Sequence, residues 1–323
     1  MKLVGNFPIQ SLVLLAGALF PLALAGPPIS ANPAPPPPSV NPAQPSAIRP
    51  SAVQPPKASQ PPPPPAAKPV PPKAKKHNDN KYFHEPGMGD RLSHYDERYF
   101  KGEVAYEQHR VNLQLLIRSY LTVFKSLGIE TFLAHGTLLG WWWNGKIMPW
   151  DYDLDVQVSN ETMAYMAANY NRTKHEYEYV DEKTGAKGHK TFLLDVNPHS
   201  LDPDRGDGQN VIDARWIDME NGMFVDITGL AERDKQRNPG LWSCKNYHRY
   251  RTKDLYPMRE TEYEGVPALV PYSFEKILIE EYGPKSLVMT EWKDHAWKPE
   301  LKEWVQIPEA VLNGSVSREQ AGF

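Results

Sequence analysis

Among 323 residues there is a single cysteine, Cys244. No internal disulfide can form, so stability has to come from packing and hydrogen bonding. The flanks of this cysteine, Trp242-Ser243 and Lys245-Asn246, carry no nucleophile signature, and a buried thiol is the expected role. Acidic residues are missing before Asp79, a stretch in which Lys2, Arg49, Lys57, Lys68, Lys73, Lys75 and Lys76 are all basic. The formal charge of −3 therefore divides into +7 for residues 1–76 and −10 for the rest, and an acidic folded part argues against nucleic acid as a partner. Long apolar runs are scarce too. Only residues 11–25 form one, and it is shorter than the ~20 residues that span a bilayer. There is no internal repeat, and no sustained β-α-β alternation that would demand a fully parallel sheet.

What is present divides the chain in three. Lys2, the apolar run and Ala23-Leu24-Ala25 read as a secretory signal over residues 1–25. The expected location is the lumen of the secretory pathway, such as the Golgi, or outside the cell, with no spanning segment left after cleavage. Between Pro27 and Pro72 lie 20 of the chain's 33 prolines, with few large apolar side chains. Residues 26–80 are therefore expected to be a disordered, partly polyproline-II stalk. Residues 81–323 are long enough for one α+β domain with a substantial core. Asn160-Glu161-Thr162, Asn171-Arg172-Thr173 and Asn313-Gly314-Ser315 are glycan sequons, and Asn160 also suits a helix cap.

Apolar spacing predicts a helix over 104–127, a short strand over 130–134, a one- or two-turn helix from Gly136 to about Asn144, and a strand over 154–158. A helix over 163–170 follows, then a hairpin of 176–180 with 190–196. A second hairpin joins 213–218 to 223–228 through Asn221-Gly222, a strong tight-turn signal. A last helix runs over 273–282, with Gly283-Pro284 as its terminator.

The chemistry concentrates in His135-Gly136-Thr137-Leu138-Leu139-Gly140 and in Pro149-Trp150-Asp151-Tyr152-Asp153-Leu154-Asp155. Asp153 and Asp155 are two apart on extended chain, so their carboxylates project to one side with Cα atoms roughly 7 Å apart. Such a pair suits one hard divalent ion, Mg²⁺ or Mn²⁺, with Asp151 beside it. Asp226, inside an apolar strand, is the candidate third acid, and a lone buried carboxylate needs a partner. Backbone N–H groups at Gly136 and the Thr137 hydroxyl are placed to meet an anion where a strand turns into a helix. An EF-hand is excluded, because counting from Asp151 puts Val156 where glycine is needed and Thr162 where glutamate is needed. Taken singly, His135 reads as a hydrogen-bonded structural residue and Trp141, Trp142 and Trp143 as packing.

Together, His-Gly-Thr-Leu-Leu-Gly, eight residues, then Pro-Trp-Asp-x-Asp-x-Asp resembles the signature of the LicD/fukutin family, and the strand of Asp226 is similar to that family's further acidic position. The resemblance implies a nucleotidyltransferase-like fold with a small mixed sheet flanked by helices. It also implies transfer of a phospho-substituted alcohol (phosphocholine, ribitol phosphate or mannose phosphate) from a nucleotide donor to a glycan. By the same resemblance Asp151, Asp153, Asp155 and Asp226 hold the metal, with Asp153, Asp155 and Asp226 catalytic. The blocks 255–260, 263–267 and 280–283 are similar to the fungal branch associated with mannosylphosphate addition to cell-wall mannans. GDP-mannose or a CDP-alcohol is then the expected donor, and an N-linked or cell-wall mannan the acceptor. Gly136, Thr137 and Gly140 are donor-binding candidates. Lys146 joins them as a positive charge where many bacterial members carry arginine at the position of Trp143, and Arg259 as a phosphate contact. Two other readings stay open: an accessory protein that keeps the fold without catalysis, and a metal-dependent glycosyltransferase that leaves phosphate on the nucleotide.

Overall fold

The computed structural model describes residues 80–182 and 184–323. The expected signal and most of the expected stalk lie outside the described residues. The elements run α1 (Tyr106–Ser126), β1 (Phe132–Leu133), α2 (His135–Asn144), β2 (Asp155–Ser159), α3 (Asn160–Asn169), β3 (Thr173–Val180), β4 (Lys187–Val196), β5 (Ala214–Asp218) and β6 (Phe224–Glu232). They continue as β7 (Leu241–Ser243), β8 (Arg249–Arg251), α4 (Thr252–Leu255), β9 (Arg259–Tyr263), β10 (Val266–Val270), α5 (Phe274–Tyr282), β11 (Glu291–Trp292), β12 (His295–Lys298) and β13 (Glu303–Gln306). The main sheet is mixed, in the order β1-β2-β6-β5-β4-β3, with β7 on the far end of β6 and β8 on β7. Helices flank it, as an α+β fold requires. No helix among the described residues is long and apolar enough to cross a membrane.

Side-chain periodicity explains the core. Leu113, Leu116, Ile117, Tyr120 and Phe124 recur at three- and four-residue spacing along α1 and are buried. They meet the sheet at Trp216 of β5, which is fully buried and stacks on Phe192 of β4 with ring centroids 5.5 Å apart. The indole is also satisfied, since its Nε1 donates to Ser119 Oγ at 3.0 Å. Asn221-Gly222 closes the β5–β6 hairpin with Gly222 at φ +88, and the Asn221 side chain accepts from the Met223 N–H at 2.8 Å. Gly222 is required twice over, because a Cβ there would lie 2.9 Å from the Asp96 carbonyl.

Two details differ from the expectations. Helix α2 runs ten residues instead of one or two turns. Its tryptophans extend it, as Trp141 Nε1 donates to Thr261 Oγ1 at 2.9 Å and Trp143 Nε1 to the Ser286 carbonyl at 3.1 Å. The cap of α3 is Ser159, not Asn160, since the Ser159 hydroxyl accepts from the Thr162 N–H at 3.0 Å and Asn160 is already helical. Trp216→Ala is expected to cost about 3–5 kcal/mol, the range for emptying a buried aromatic site. Chemical denaturation monitored by circular dichroism reads it, and a loss under about 1 kcal/mol would remove Trp216 from the centre of the core.

Candidate active site

Backbone register assembles the acids. Strands β2 and β6 are parallel, with Asp155 directly opposite Asp226. Opposed residues on neighbouring strands share a face, so the two carboxylates emerge on the same side of the sheet. The Asp226 N–H donates to the Leu154 carbonyl at 2.9 Å, which carries the pairing back toward Asp153. Thr137 fixes the same place from the helix side: its buried hydroxyl accepts from the Asp155 N–H at 2.9 Å. That hydroxyl therefore serves the strand with an acceptor lone pair. Gly136 is where Asp151 comes close, since a Cβ on it would lie 2.9 Å from Asp151 Oδ2.

The electrostatic consequence is visible in the carboxyl groups. Burial first, then the hydrogen bond and charge of Asp153, push Asp151 up to about 9. Burial and the charge of Asp153 push Asp155 up to about 8, with Asp226 and Glu281 adding to the shift and His135 opposing it. Asp226 is also raised by burial, although Arg215 pulls the other way. Without a cation these groups hold protons that isolated carboxylic acids would have lost. The donor set is all carboxylate oxygen, so the residues fit a hard ion such as Mg²⁺ or Mn²⁺. Asp151, Asp153, Asp155 and Asp226 are the candidate ligands for such an ion, whereas the group of described residues whose ligand atoms already lie within 4.8 Å of one another is His135, His248 and Glu281.

Asp226 has a fixed partner that sequence reasoning missed. Arg215 Nε donates to Asp226 Oδ1 at 2.9 Å, its Nη2 donates to Glu85 at 2.7 Å, and its Nη1 lies 3.8 Å from Asp96. The guanidinium is 3% exposed and lies on the Phe224 ring. Counting back from the Asn-Gly turn would have found it, because that register sets Arg215 opposite Asp226.

Two cavities meet at this cluster, and Asp155 and Tyr282 line both. One, of about 620 Å³, is also walled by His135, His248, Arg249, Tyr250 and Glu281. The other, of about 490 Å³, is walled by Gly136, Asp151, Asp153, Trp143, Trp150, Trp292, Trp304, Lys285 and Lys293. His135 has φ +51 at the first position of α2, a left-handed backbone that costs roughly 1–3 kcal/mol in a non-glycine residue. That turn carries its ring to Glu281, whose Oε2 lies 2.9 Å from Nδ1. Burial lowers the proton affinity of His135, but Glu281, Asp155 and Asp153 together raise it above an ordinary histidine. The Cys244 thiol is buried and pushed up by that burial, so it is no thiolate nucleophile.

The remaining candidates lie elsewhere. Gly140 is buried against the 146–148 backbone, where a Cβ would come 2.5 Å from the Lys146 carbonyl, and lines neither cavity. Lys146 is paired with Glu303. Arg259 Nε donates to the Tyr272 carbonyl at 3.0 Å, with its guanidinium over the Tyr272 ring, and it too lines neither cavity. The cations that do line a cavity wall are Arg249, Lys285 and Lys293. Only the long-range packing of α5 and of the 284–304 segment brings the two lysines there, so no local pattern announces them.

Two outcomes follow. Because the raised acids bind protons more tightly folded than unfolded, stability of the metal-free protein should fall as pH rises from about 4. The fall should continue through the folded values of about 8 and 9. Thermal unfolding with chelator against saturating Mn²⁺ checks this, and Mn²⁺ should flatten the decline. Arg215→Met should cost about 3–5 kcal/mol by leaving Asp226 without its counter-charge, while Glu85 keeps Lys81 and Asp96 keeps Arg98, read by urea unfolding.

Comparison with known proteins covers the same stretch of chain. Residues 128–273 match the LicD/FKTN/FKRP nucleotidyltransferase domain, a span that holds the Asp cluster, Arg215 and His248. Mannosyltransferase regulator 4 of Saccharomyces cerevisiae is 28% identical over 235 residues, 71% of this chain and 19% of that protein. Mannosyltransferase regulator 14 of the same yeast is 34% identical over 125 residues, 39% of this chain and 13% of that protein. The chain thus spans less than a fifth of the length of either relative. Over residues 128–273 the chain is similar to the LicD/FKTN/FKRP nucleotidyltransferase domain, and both of these relatives are yeast proteins.

Proposed function

We propose that the chain transfers a phosphosugar unit, mannosylphosphate in the reading that the sequence blocks 255–260, 263–267 and 280–283 suggest, from a nucleotide donor to a glycan hydroxyl. The observation that carries this reading is the register pairing of Asp155 with Asp226 at the junction of two cavities. Group transfer between two large substrates needs two compartments that meet at the reacting phosphorus. Phosphoryl-type chemistry depends chiefly on alignment and charge neutralisation, which clustered acids holding Mg²⁺ or Mn²⁺ supply. The tryptophan-lined compartment offers aromatic faces for a base or a sugar, with Lys285 and Lys293 placed for phosphate oxygens. An attacking hydroxyl would give its proton to a carboxylate of the cluster that is in its charged form.

A second reading has its own support. The two yeast relatives are named as regulators, so a non-catalytic domain that binds a transferase or its glycan is the competing role. Incubating the purified chain with a panel of nucleotide donors, mannan and Mn²⁺ separates the possibilities. Transfer of a phosphosugar releases nucleoside monophosphate and leaves phosphorus in the glycan. A glycosyltransferase would release nucleoside diphosphate and leave none. Asp155→Asn should lower the rate by at least ~10²-fold, the scale for removing a charge-stabilising group at a reacting centre. Metal-independent binding to glycan or to a partner transferase, with no nucleotide turnover, would replace the enzyme assignment by the regulatory one.

A further inference from the structure

The larger cavity contains a cluster for which the four aspartates have no use. His135 opens α2, His248 sits between β7 and β8, and Glu281 lies in the last turn of α5. Each offers one ligand atom, and these atoms all lie within 4.8 Å of one another. All three side chains are partly exposed, so they face the cavity and are not sealed in the core.

Their outward atoms are already held. Cys244 Sγ lies 3.3 Å from His248 Nδ1, which leaves Nε2 as the open ring nitrogen. Tyr250 donates its hydroxyl to Glu281 Oε1 at 2.9 Å, which leaves Oε2. His135 Nε2 lies 3.4 Å from the amide of Gln157, a fully buried residue whose Oε1 has no partner. With the two ends of that amide exchanged, the orphan oxygen accepts from the His135 Nε2–H and leaves Nδ1 toward Glu281. A metal-ligating histidine commonly shows this arrangement, donating its second ring nitrogen to a nearby oxygen. A bare His135–Glu281 ion pair accounts for only part of the cluster. It does not explain why the His248 ring is packed against that of His135, with ring centroids 4.2 Å apart. A shared cation turns that opposition of rings into joint ligation.

We propose that His135, His248 and Glu281 bind a divalent first-row transition ion, distinct from the hard ion of the aspartate cluster. Two imidazoles and one carboxylate favour Mn²⁺, Co²⁺ or Zn²⁺ over Mg²⁺, which prefers oxygen. Three protein ligands leave at least one position open to the cavity, as in sites where water or a substrate oxygen completes the shell. Asp155 lines the same cavity, so both proposed ion sites would open onto it. The ligand assignment does not depend on the transfer reaction, whereas any part this ion plays in transfer rests on that reading.

The test uses the full chain, stripped with chelator and titrated with Co²⁺ under a large excess of Mg²⁺ that occupies the carboxylates. Visible absorption and calorimetry are the readouts, with no donor or acceptor present, so a chain that transfers nothing can still bind. One Co²⁺ per chain is expected, displaced by Zn²⁺ with loss of colour. His248→Gln and Glu281→Gln should weaken binding by more than ~10-fold, and Gln157→Leu by ~10-fold, while Asp153→Asn retains it. Circular dichroism verifies that each variant is folded, and Gln157→Leu carries the comparison if a ligand variant is not. The proposal is overturned by absence of Co²⁺ binding under excess Mg²⁺. Equal binding by the wild type and His248→Gln overturns it too, as does loss of binding in Asp153→Asn with retention in His248→Gln.

Discussion

Repulsion between carboxylates that share one face of a sheet is the constraint around which this domain is arranged. The pairing of β2 with β6 is the only parallel one among the described residues of the main sheet, and it sets Asp155 against Asp226. Neither strand can slip by one residue to escape, because Val156, Val158, Val225 and Ile227 would then leave the core. The charges have to be met in place. Arg215 meets one of them from the adjacent strand, and a proton or a bound ion has to meet the others.

The surrounding architecture keeps that place open on two sides. Helix α2 begins at the end of β1 and delivers Gly136 close to Asp151, while its tryptophans reach the C-terminal segment. Helix α5 returns to the same spot from far along the chain. Its last turn supplies Glu281 to one compartment and Tyr282 to the wall between the two. The domain thus combines a rigid floor of paired strands with walls taken from segments distant in sequence.

Much of this was legible residue by residue. The apolar spacing of Val111, Leu115, Ile117, Leu121, Phe124 and Leu127 announces α1, although Val111 itself stays exposed, and Asn221-Gly222 announces the β5–β6 hairpin. The alternation of Asp151, Asp153 and Asp155 marks the cluster before any fold is known. What could not be read are contacts closed over long separations. His135 with Glu281, Lys146 with Glu303 and Arg215 with Glu85 each join residues more than a hundred positions apart. Thr137 shows a subtler limit: its position in the motif was plain, but which of two neighbours its hydroxyl serves depends on how closely α2 approaches β2.

Glu281 and Tyr282 are consecutive residues at the end of α5, followed by Gly283 at φ +79. Neighbouring positions on a helix differ by about 100° in direction, so one rigid turn serves two rooms at once. A tilt of that turn cannot widen one room without altering the other. The shape of either room is thereby tied to that of its neighbour through the backbone of a single helix end.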